Sequence, residues 1–154
     1  MITFDSSVTE VIGDLLLRVY EIHDRIIAKT GGLEGLRDGT TLHSAIARPF
    51  ATFGGQELYP TDWEKAAALF HSLIKSHPFM DGTKRTAFSA TLYFLKEKGH
   101  PIPRNLPKDK IIRYCLDLAS ENMRLAAGEH VQPKTIAEIA AWFQGLLEGE
   151  QDGG

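Results

Sequence analysis

Apolar side chains recur every three or four residues along most of this chain, which is the spacing of helices with one buried face. The first such stretch follows a capping pattern at residues 7–10 and ends at the glycine pair 31–32. We predict one long helix there. His23 falls on or beside its apolar stripe, and we interpret it as a packed or hydrogen-bonded histidine rather than a catalytic one.

Two further helices are predicted on either side of a loop that begins at Pro78. The upstream helix starts with a capping box of Thr61 and Glu64, and the proline predicts that His77 is its last residue. The downstream segment, residues 86–95, is apolar on nearly every side, which is typical of a helix in the middle of a domain. We expect this pair to form the buried centre of the fold.

The rest of the pattern predicts smaller elements. Further helices are indicated at residues 42–47, at residues 108–127 (as one helix or two) and at residues 136–147. Two short runs across Gly54-Gly55, within residues 50–59, predict a β-hairpin. The fold class is therefore expected to be all-α, a helical bundle with one small hairpin. Residues 1–148 are predicted to form a single domain, and residues 149–154 a flexible tail.

Composition excludes several classes of function. The 154 residues are 43% hydrophobic and 24% charged, and the formal net charge is −3 without a run of Lys or Arg, which argues against direct nucleic-acid binding. The first residues lack the basic and apolar regions of a signal peptide, and no apolar run approaches membrane-spanning length. Cys115 is the only cysteine, so no internal disulfide can form. We expect a cytoplasmic protein without a membrane segment.

The loop between the two central helices carries unusually placed charges. Lys84 and Arg85 are predicted in the first turn of the downstream helix, after a turn at Gly82. Cations there cost a few tenths to about 1 kcal/mol each, because the free N–H groups give a helix N-terminus partial positive charge. A bound phosphate would remove this conflict, since backbone N–H groups and two cations form a phosphate cradle. The loop is therefore predicted to bind an anion.

Two other side chains of the loop fit phosphate chemistry. Asp81 is a candidate Mg²⁺ ligand, because a carboxylate beside phosphates is the usual protein ligand of that ion. His77 is a candidate general base, since the unperturbed pKa of histidine suits the removal of a hydroxyl proton near pH 7. A lone histidine or a lone Asp-Gly turn is an ordinary structural feature. Their combination with the two cations favours a functional site.

Residues 77–85, His-Pro-Phe-Met-Asp-Gly-Thr-Lys-Arg, resemble the motif of the Fic/Doc family, His-Pro-Phe-x-Asp/Glu-Gly-Asn-Gly/Lys-Arg. The stretch Gly35-Leu36-Arg37-Asp38 is similar to one in the Doc-like members. The resemblance covers most of the chain, roughly residues 5 to 147. It implies the Fic/Doc fold, and it implies a nucleotide-dependent transferase that modifies a protein.

The resemblance also implies a role for each motif residue. The histidine, His77, would activate a target hydroxyl, Asp81 would hold Mg²⁺, and Gly82 and Arg85 would bind nucleotide phosphates. Lys84 stands where the adenylyl-transferring members have Gly and the death-on-curing (Doc) toxins have Lys. The expected activity is therefore that of a Doc-like toxin of a toxin–antitoxin system. It would transfer a phosphoryl group from Mg²⁺-ATP, or another nucleoside triphosphate, to a Ser or Thr hydroxyl of a target protein.

Thr83 departs from the family motif, which has Asn at this position. A Thr hydroxyl can still contact a phosphate or cap the helix, but it offers fewer hydrogen bonds than an amide. Two alternatives stay open, and Thr83 is the reason only for the second. One is protein adenylyl transfer (AMPylation) by the same residues, which Lys84 disfavours. The other is a catalytically weak module that binds a nucleotide or a partner.

The resemblance implies two protein partners, a Phd-like antitoxin and a target such as elongation factor Tu. In the family, the segment upstream of the motif forms a flap that docks the target peptide by strand addition. Carried over, the target-docking residues are Phe53, Gly54, Gly55, Gln56, Glu57 and Leu58. The competing interpretation of this segment is an ordinary surface loop.

Overall fold

The computed structural model describes residues 2–3 and 6–149, and within them the chain is mainly helical. The helices are α1 (Ser6–Thr30), α2 (Gly39–Ala47), α3 (Asp62–Ser76), α4 (Thr83–Glu97), α5 (Lys108–Ala126) and α6 (Ile136–Glu148). The strands are β1 (Ile2–Thr3), β2 (Thr52–Phe53) and β3 (Gln56–Glu57). The predicted all-α class with a small β element is confirmed.

Helix α3 lies at the centre of the bundle. Its side chains from Ala66 to Phe70 have no solvent exposure, so this stretch is buried on every side. It packs against α2, α4, α5 and α6. The abundance of alanine explains this position, because small side chains let several helices approach one axis closely.

Helix α4 packs along α3 and also against α1, which confirms the predicted central pair. Its buried face includes Ala87, Ala90 and Leu95. On the other side of α3, an aromatic cluster joins α3 and α4 to α5 and α6. The rings of Tyr114 and Trp142 stack at 3.8 Å, and Phe70 meets Phe143 edge to face at 5.0 Å. Such ring pairs add about 0.5–1.5 kcal/mol each beyond the area that they bury.

The strands form a three-stranded antiparallel sheet in the order β1-β2-β3. Gly54 and Gly55, with φ of 59° and 81°, form the two-residue turn of the predicted hairpin. Turns of this kind need positive φ at both positions, which glycine adopts without strain. Strand β1 pairs with the other edge of β2 and was not predicted, because two residues show no periodicity.

Several predicted boundaries move by a few residues. Helix α3 ends at Ser76, so His77 is its C-cap and not its last helical residue. The segment after residue 107 is one helix rather than two. Residues 150–154 of the predicted tail lie outside the described residues. No helix in the described part of the chain is long and apolar enough to cross a membrane.

Candidate active site

His77 occupies a backbone conformation that sets it apart. Its φ of 47° is the only positive φ of a non-glycine residue among those described. Pro78 disfavours the helical region for the residue before it, and the left-handed conformation ends α3 there. The backbone N–H of His77 still donates to the carbonyl oxygen of Leu73 at 3.2 Å. This conformation costs on the order of 1–2 kcal/mol, and the imidazole is held just beyond the end of the helix.

The glycine-rich connection between α1 and α2 holds the motif loop by backbone hydrogen bonds. The N–H of Arg37 donates to the carbonyl of Pro78 at 2.7 Å, and the N–H of Met80 donates to the carbonyl of Gly35 at 3.1 Å. An antiparallel bridge joins residues 36 and 79. The Arg37 guanidinium also donates to the His77 carbonyl at 3.3 Å. The predicted structured connection is therefore a strap that fixes the loop.

Asp81 is held from two directions. The backbone N–H of Leu33 donates to its Oδ2 at 2.7 Å, and Nε2 of His23 lies 2.7 Å from its carbonyl oxygen. Gly32 lies so close that a Cβ there would come within 3.2 Å of the Asp81 Cβ. The carboxylate therefore has a defined position before any ligand binds.

Gly82 is the N-cap of α4, with φ of 78° and no side-chain capping bond. The first backbone bond that closes this helix runs from the Thr86 N–H to the Gly82 carbonyl at 2.9 Å. The earlier N–H groups therefore have no helical partner. Lys84 and Arg85 lie in this first turn, as predicted, and no acidic residue accompanies them there.

Two buried hydroxyls in the first turn of α4 have no hydrogen-bond partner within the described structure. They belong to Thr83, which is 3% exposed, and Thr86, which is fully buried. A buried polar atom without a partner costs about 1–3 kcal/mol, so such atoms are rare in folded proteins. Thr83 also lines the cavity at the start of α4, and Thr86 does not.

A cavity of about 680 Å³ brings the predicted residues together. Its lining includes His77, Asp81, Gly82, Thr83, Lys84 and Arg85. An apolar wall comes mainly from α5 and consists of Ile111, Ile112, Cys115 and Leu116, together with Phe88 of α4. The cavity thus combines polar and cationic residues with an apolar wall, which suits a ligand that has both phosphates and a flat apolar group.

Burial shifts the pKa values of two side chains of the cavity, and nearby charges modify these shifts. Burial lowers the pKa of His77, and the cations of Arg37 and Lys84 lower it further, while Asp81 opposes them. A neutral imidazole is therefore favoured, and this is the form that accepts a proton. Burial raises the pKa of Cys115 to about 11, so its side chain is a thiol and not a reactive thiolate.

The fit of a magnesium ion can be judged from the donor set. Among the described residues, no group of three or more His, Cys, Asp and Glu side chains could hold a metal ion. Asp81 supplies one carboxylate, which the Leu33 N–H holds directly before the turn at Gly82. Mg²⁺ commonly binds to proteins through one or two carboxylates, and phosphate oxygens and water supply the other ligands. The site therefore fits Mg²⁺ that arrives with a nucleotide.

The hairpin that was predicted as a docking flap contacts the N-terminal part of α3. Lys65 of α3 forms an ion pair with Glu57 at 3.0 Å and donates to the Tyr59 carbonyl. Lys65 precedes His77 by twelve residues, which is about 18 Å along a helix axis. None of residues 53–58 lines the described cavity. Phe53 and Leu58 are exposed, and because β1 occupies one edge of β2, only β3 presents an open edge of the hairpin.

Three features of the site were not predicted from the sequence. They are the two contacts by which Arg37 and the Leu33 N–H hold the motif loop, and the apolar wall on α5. One signal for the wall was present, because α5 has more apolar positions than one core-facing stripe needs. Ile112 and Leu116 are 56% and 51% exposed.

This geometry agrees with comparisons to known proteins. The chain belongs to the Fic/DOC family, whose model matches residues 16–95 and so includes the whole motif loop. It is 42% identical over 80 residues to the protein named Toxin Doc of Mycolicibacterium smegmatis. It is 34% identical over 79 residues to the Protein kinase doc of Escherichia phage P1. These relatives place the chain in the death-on-curing branch of the family.

The similarity to these relatives is partial. The matches cover 52% and 51% of this chain, and they span 62% and 61% of the two relatives. The region that the family model matches, residues 16–95, contains the strap, the motif loop and most of α4. The apolar wall on α5 lies outside the region that the family model covers.

Proposed function

We propose that this protein is a Doc-like toxin that transfers a phosphoryl group from a Mg²⁺-nucleotide, ATP or another nucleoside triphosphate, to a Ser or Thr hydroxyl of a target protein. The observation that carries the proposal is the start of α4. It is uncapped, bears two cations and a buried unpartnered hydroxyl, and shares one cavity with His77 and Asp81.

Each residue has a role in this reaction. His77 takes the proton from the target hydroxyl, which its lowered pKa allows at neutral pH. Asp81 holds Mg²⁺, which supplies charge neutralisation at the phosphates when it is bound. The N–H groups at Gly82 and Thr83 hydrogen-bond the phosphate oxygens, and Lys84 and Arg85 stabilise the charge that develops during transfer. The α5 wall receives the base of the nucleotide.

Two observations favour phosphoryl transfer over adenylyl transfer. Lys84 stands where adenylyl-transferring members of the family have Gly. One relative is named a protein kinase. For adenylyl transfer the same residues would act, but the nucleotide would bind in the opposite direction so that its α-phosphate is attacked.

A catalytically weak binding module is the second candidate, and Thr83 is the observation that favours it. Thr is shorter than the Asn of the family motif and has no amide group. Thr83→Asn tests this candidate, because a restored amide should raise transfer if Thr83 attenuates the enzyme. Transfer no higher than that of the parent would mean that Thr83 already serves the role.

The proposed partners follow from the same branch of the family. A Phd-like antitoxin would inhibit the toxin, and elongation factor Tu is a candidate target, which would make the site of action cytoplasmic. The target peptide would dock on the open edge of β3 by strand addition. Substitution of Glu57 by proline tests that docking, because the Leu58 N–H already donates to Ala51 within the hairpin and the Glu57 N–H is the one that faces the open edge.

The decisive experiment uses ATP labelled at two positions. Purified protein is incubated with elongation factor Tu, Mg²⁺ and ATP that carries the label in either the γ- or the α-phosphate. Label transferred from the γ position supports the proposed kinase. Label transferred from the α position replaces it with adenylyl transfer. No transfer together with measurable nucleotide binding supports the binding module.

A further inference from the structure

His23 of α1 contacts the motif loop at Asp81 and Phe79 and lies close to Gly82. Its Nε2 lies 2.7 Å from the Asp81 carbonyl oxygen, and its ring stacks on Phe79 with centroids 3.8 Å apart and planes 10° from parallel. Its Cδ2 lies 3.7 Å from the position that a Cβ on Gly82 would occupy. The side chain is 3% exposed.

The direction of the hydrogen bond follows from its partners. A carbonyl oxygen can only accept, so Nε2 of His23 carries the hydrogen and donates it to Asp81. The Asp81 carbonyl belongs to the same peptide unit as the Gly82 N–H. In a trans peptide these two groups point in opposite directions. The bond from His23 therefore turns the Gly82 N–H away from α1.

This peptide unit is one that could otherwise rotate. Gly82 has φ of 78°, and a glycine has no Cβ to oppose a flip of the preceding peptide plane. A flip would place the Asp81 carbonyl where the N–H now lies. A carbonyl oxygen repels an anion, so the turn would lose its affinity for phosphate.

We infer that His23 is a positioning residue that locks the Asp81–Gly82 peptide with its N–H directed toward the anion. His23 does not line the cavity, whereas Gly82 does. It acts through the peptide and not on the ligand. The inference rests on the proposed function only for the identity of the anion as a nucleotide phosphate.

The role can be separated from simple packing by two substitutions. His23→Phe keeps a ring that can stack on Phe79 but removes the donor. His23→Gln removes the ring but keeps an N–H that can reach the carbonyl. His43→Phe is the matched control, because His43 is an exposed histidine on α2.

Binding of inorganic phosphate and of Mg²⁺-ADP is measured through the ¹⁵N–¹H signal of Gly82. The unfolding temperature of each variant is recorded as well. We expect His23→Phe to bind phosphate about tenfold more weakly, because the anion loses its charge-assisted hydrogen bond from the Gly82 N–H. His23→Gln should recover most of that loss, and the control should match the parent. This experiment measures binding and not transfer. If the parent protein transferred no label from ATP, the proposed function would be overturned, but the effect of His23 on phosphate binding could still be tested.

Two results would overturn the inference. One is an affinity that does not depend on the donor. Either the affinity falls in parallel with the unfolding temperature in both variants, or it stays at the parental value in His23→Phe, and both outcomes show that only packing matters. The other comes from the parent protein and needs no variant to fold. Long-range ¹⁵N–¹H spectra report the histidine tautomer, and a His23 ring that carries its only hydrogen on Nδ1 cannot donate to Asp81.

Discussion

The two central helices begin in opposite ways. At the start of α3, the Thr61 hydroxyl accepts the Glu64 N–H at 3.1 Å and donates to the Glu64 carboxylate at 2.9 Å. Asp62 adds a second negative charge in that turn. At the start of α4, Gly82 provides no side-chain cap, and the charges in the first turn are those of Lys84 and Arg85.

The difference shows which helix start obtains its cap and its favourable charges from its own side chains. The start of α3 caps the Glu64 N–H with its own Thr61 side chain and places acids at the positive end of the helix, which stabilises it. Helix α6 begins in the same manner, with Thr135 accepting the Glu138 N–H at 3.1 Å. The start of α4 has the opposite charges, and an anion would supply what it lacks. The cations and the unpartnered buried hydroxyls at this helix start cost free energy of folding, which the proposed anion would offset.

The largest expected effect separates catalysis from binding within the α4 site. His77→Asn should lower transfer by about 10²–10⁴-fold, because the general base is lost. Asparagine tolerates the left-handed backbone of this position better than alanine does. Phosphate binding at the start of α4 should remain within about twofold of the parent, since His77 is not one of the residues proposed to bind the phosphates. A variant as active as the parent would end the assignment of His77 as the base.

The pH dependence of the parent tests the same residue. A base must be neutral to act, and the pKa of His77 is lowered by burial and by the cations of Arg37 and Lys84. The acid limb of kcat/KM should therefore lie below pH 6.5, the ordinary value for histidine. Lys84→Gln should move that limb toward higher pH. An acid limb above pH 6.5 would contradict the proposed environment of the base.

The next effect tests the cations of α4. Arg85→Ala should weaken Mg²⁺-nucleotide binding by about 10–100-fold, the loss expected for a hydrogen bond between charged groups. The free protein should become no less stable, because a cation is removed from the positive end of a helix. Arg25→Ala, at an exposed position of α1, is the matched control. Calorimetric titration and thermal unfolding together measure both quantities.

The contrast between these helix starts explains what could be predicted from sequence. Local periodicity, turn residues and caps determine which segments are helical, where the hairpin turns and where Lys84 and Arg85 lie. These features were therefore predictable. The supports of Asp81 were not. The Leu33 N–H and His23 lie 48 and 58 residues away along the chain, and no local signal encodes such contacts. The docking role of the hairpin stays a prediction, because only the family resemblance supports it.

A smaller effect is expected at the start of α3. Thr61→Ala should destabilise the protein by about 1 kcal/mol, because the helix loses its cap and the capping box. Phosphate affinity should not change, since this helix start has no role in the anion site. Chemical denaturation and phosphate titration of the same variant test both statements. A loss of phosphate affinity in a folded Thr61→Ala protein would mean that the two helix starts are not independent.

The finest test compares the two unpartnered hydroxyls of α4. Valine has the shape of threonine without the hydroxyl, so Thr83→Val and Thr86→Val should each stabilise the free protein, by up to about 1 kcal/mol. Only Thr83 lines the cavity, so only Thr83→Val should weaken phosphate binding, by a few-fold. Added phosphate should then raise the unfolding temperature of Thr86→Val as much as that of the parent, and that of Thr83→Val less. Equal responses of the two variants would show that the Thr83 hydroxyl does not meet the ligand, and the start of α4 would then bind anions through its N–H groups and cations alone.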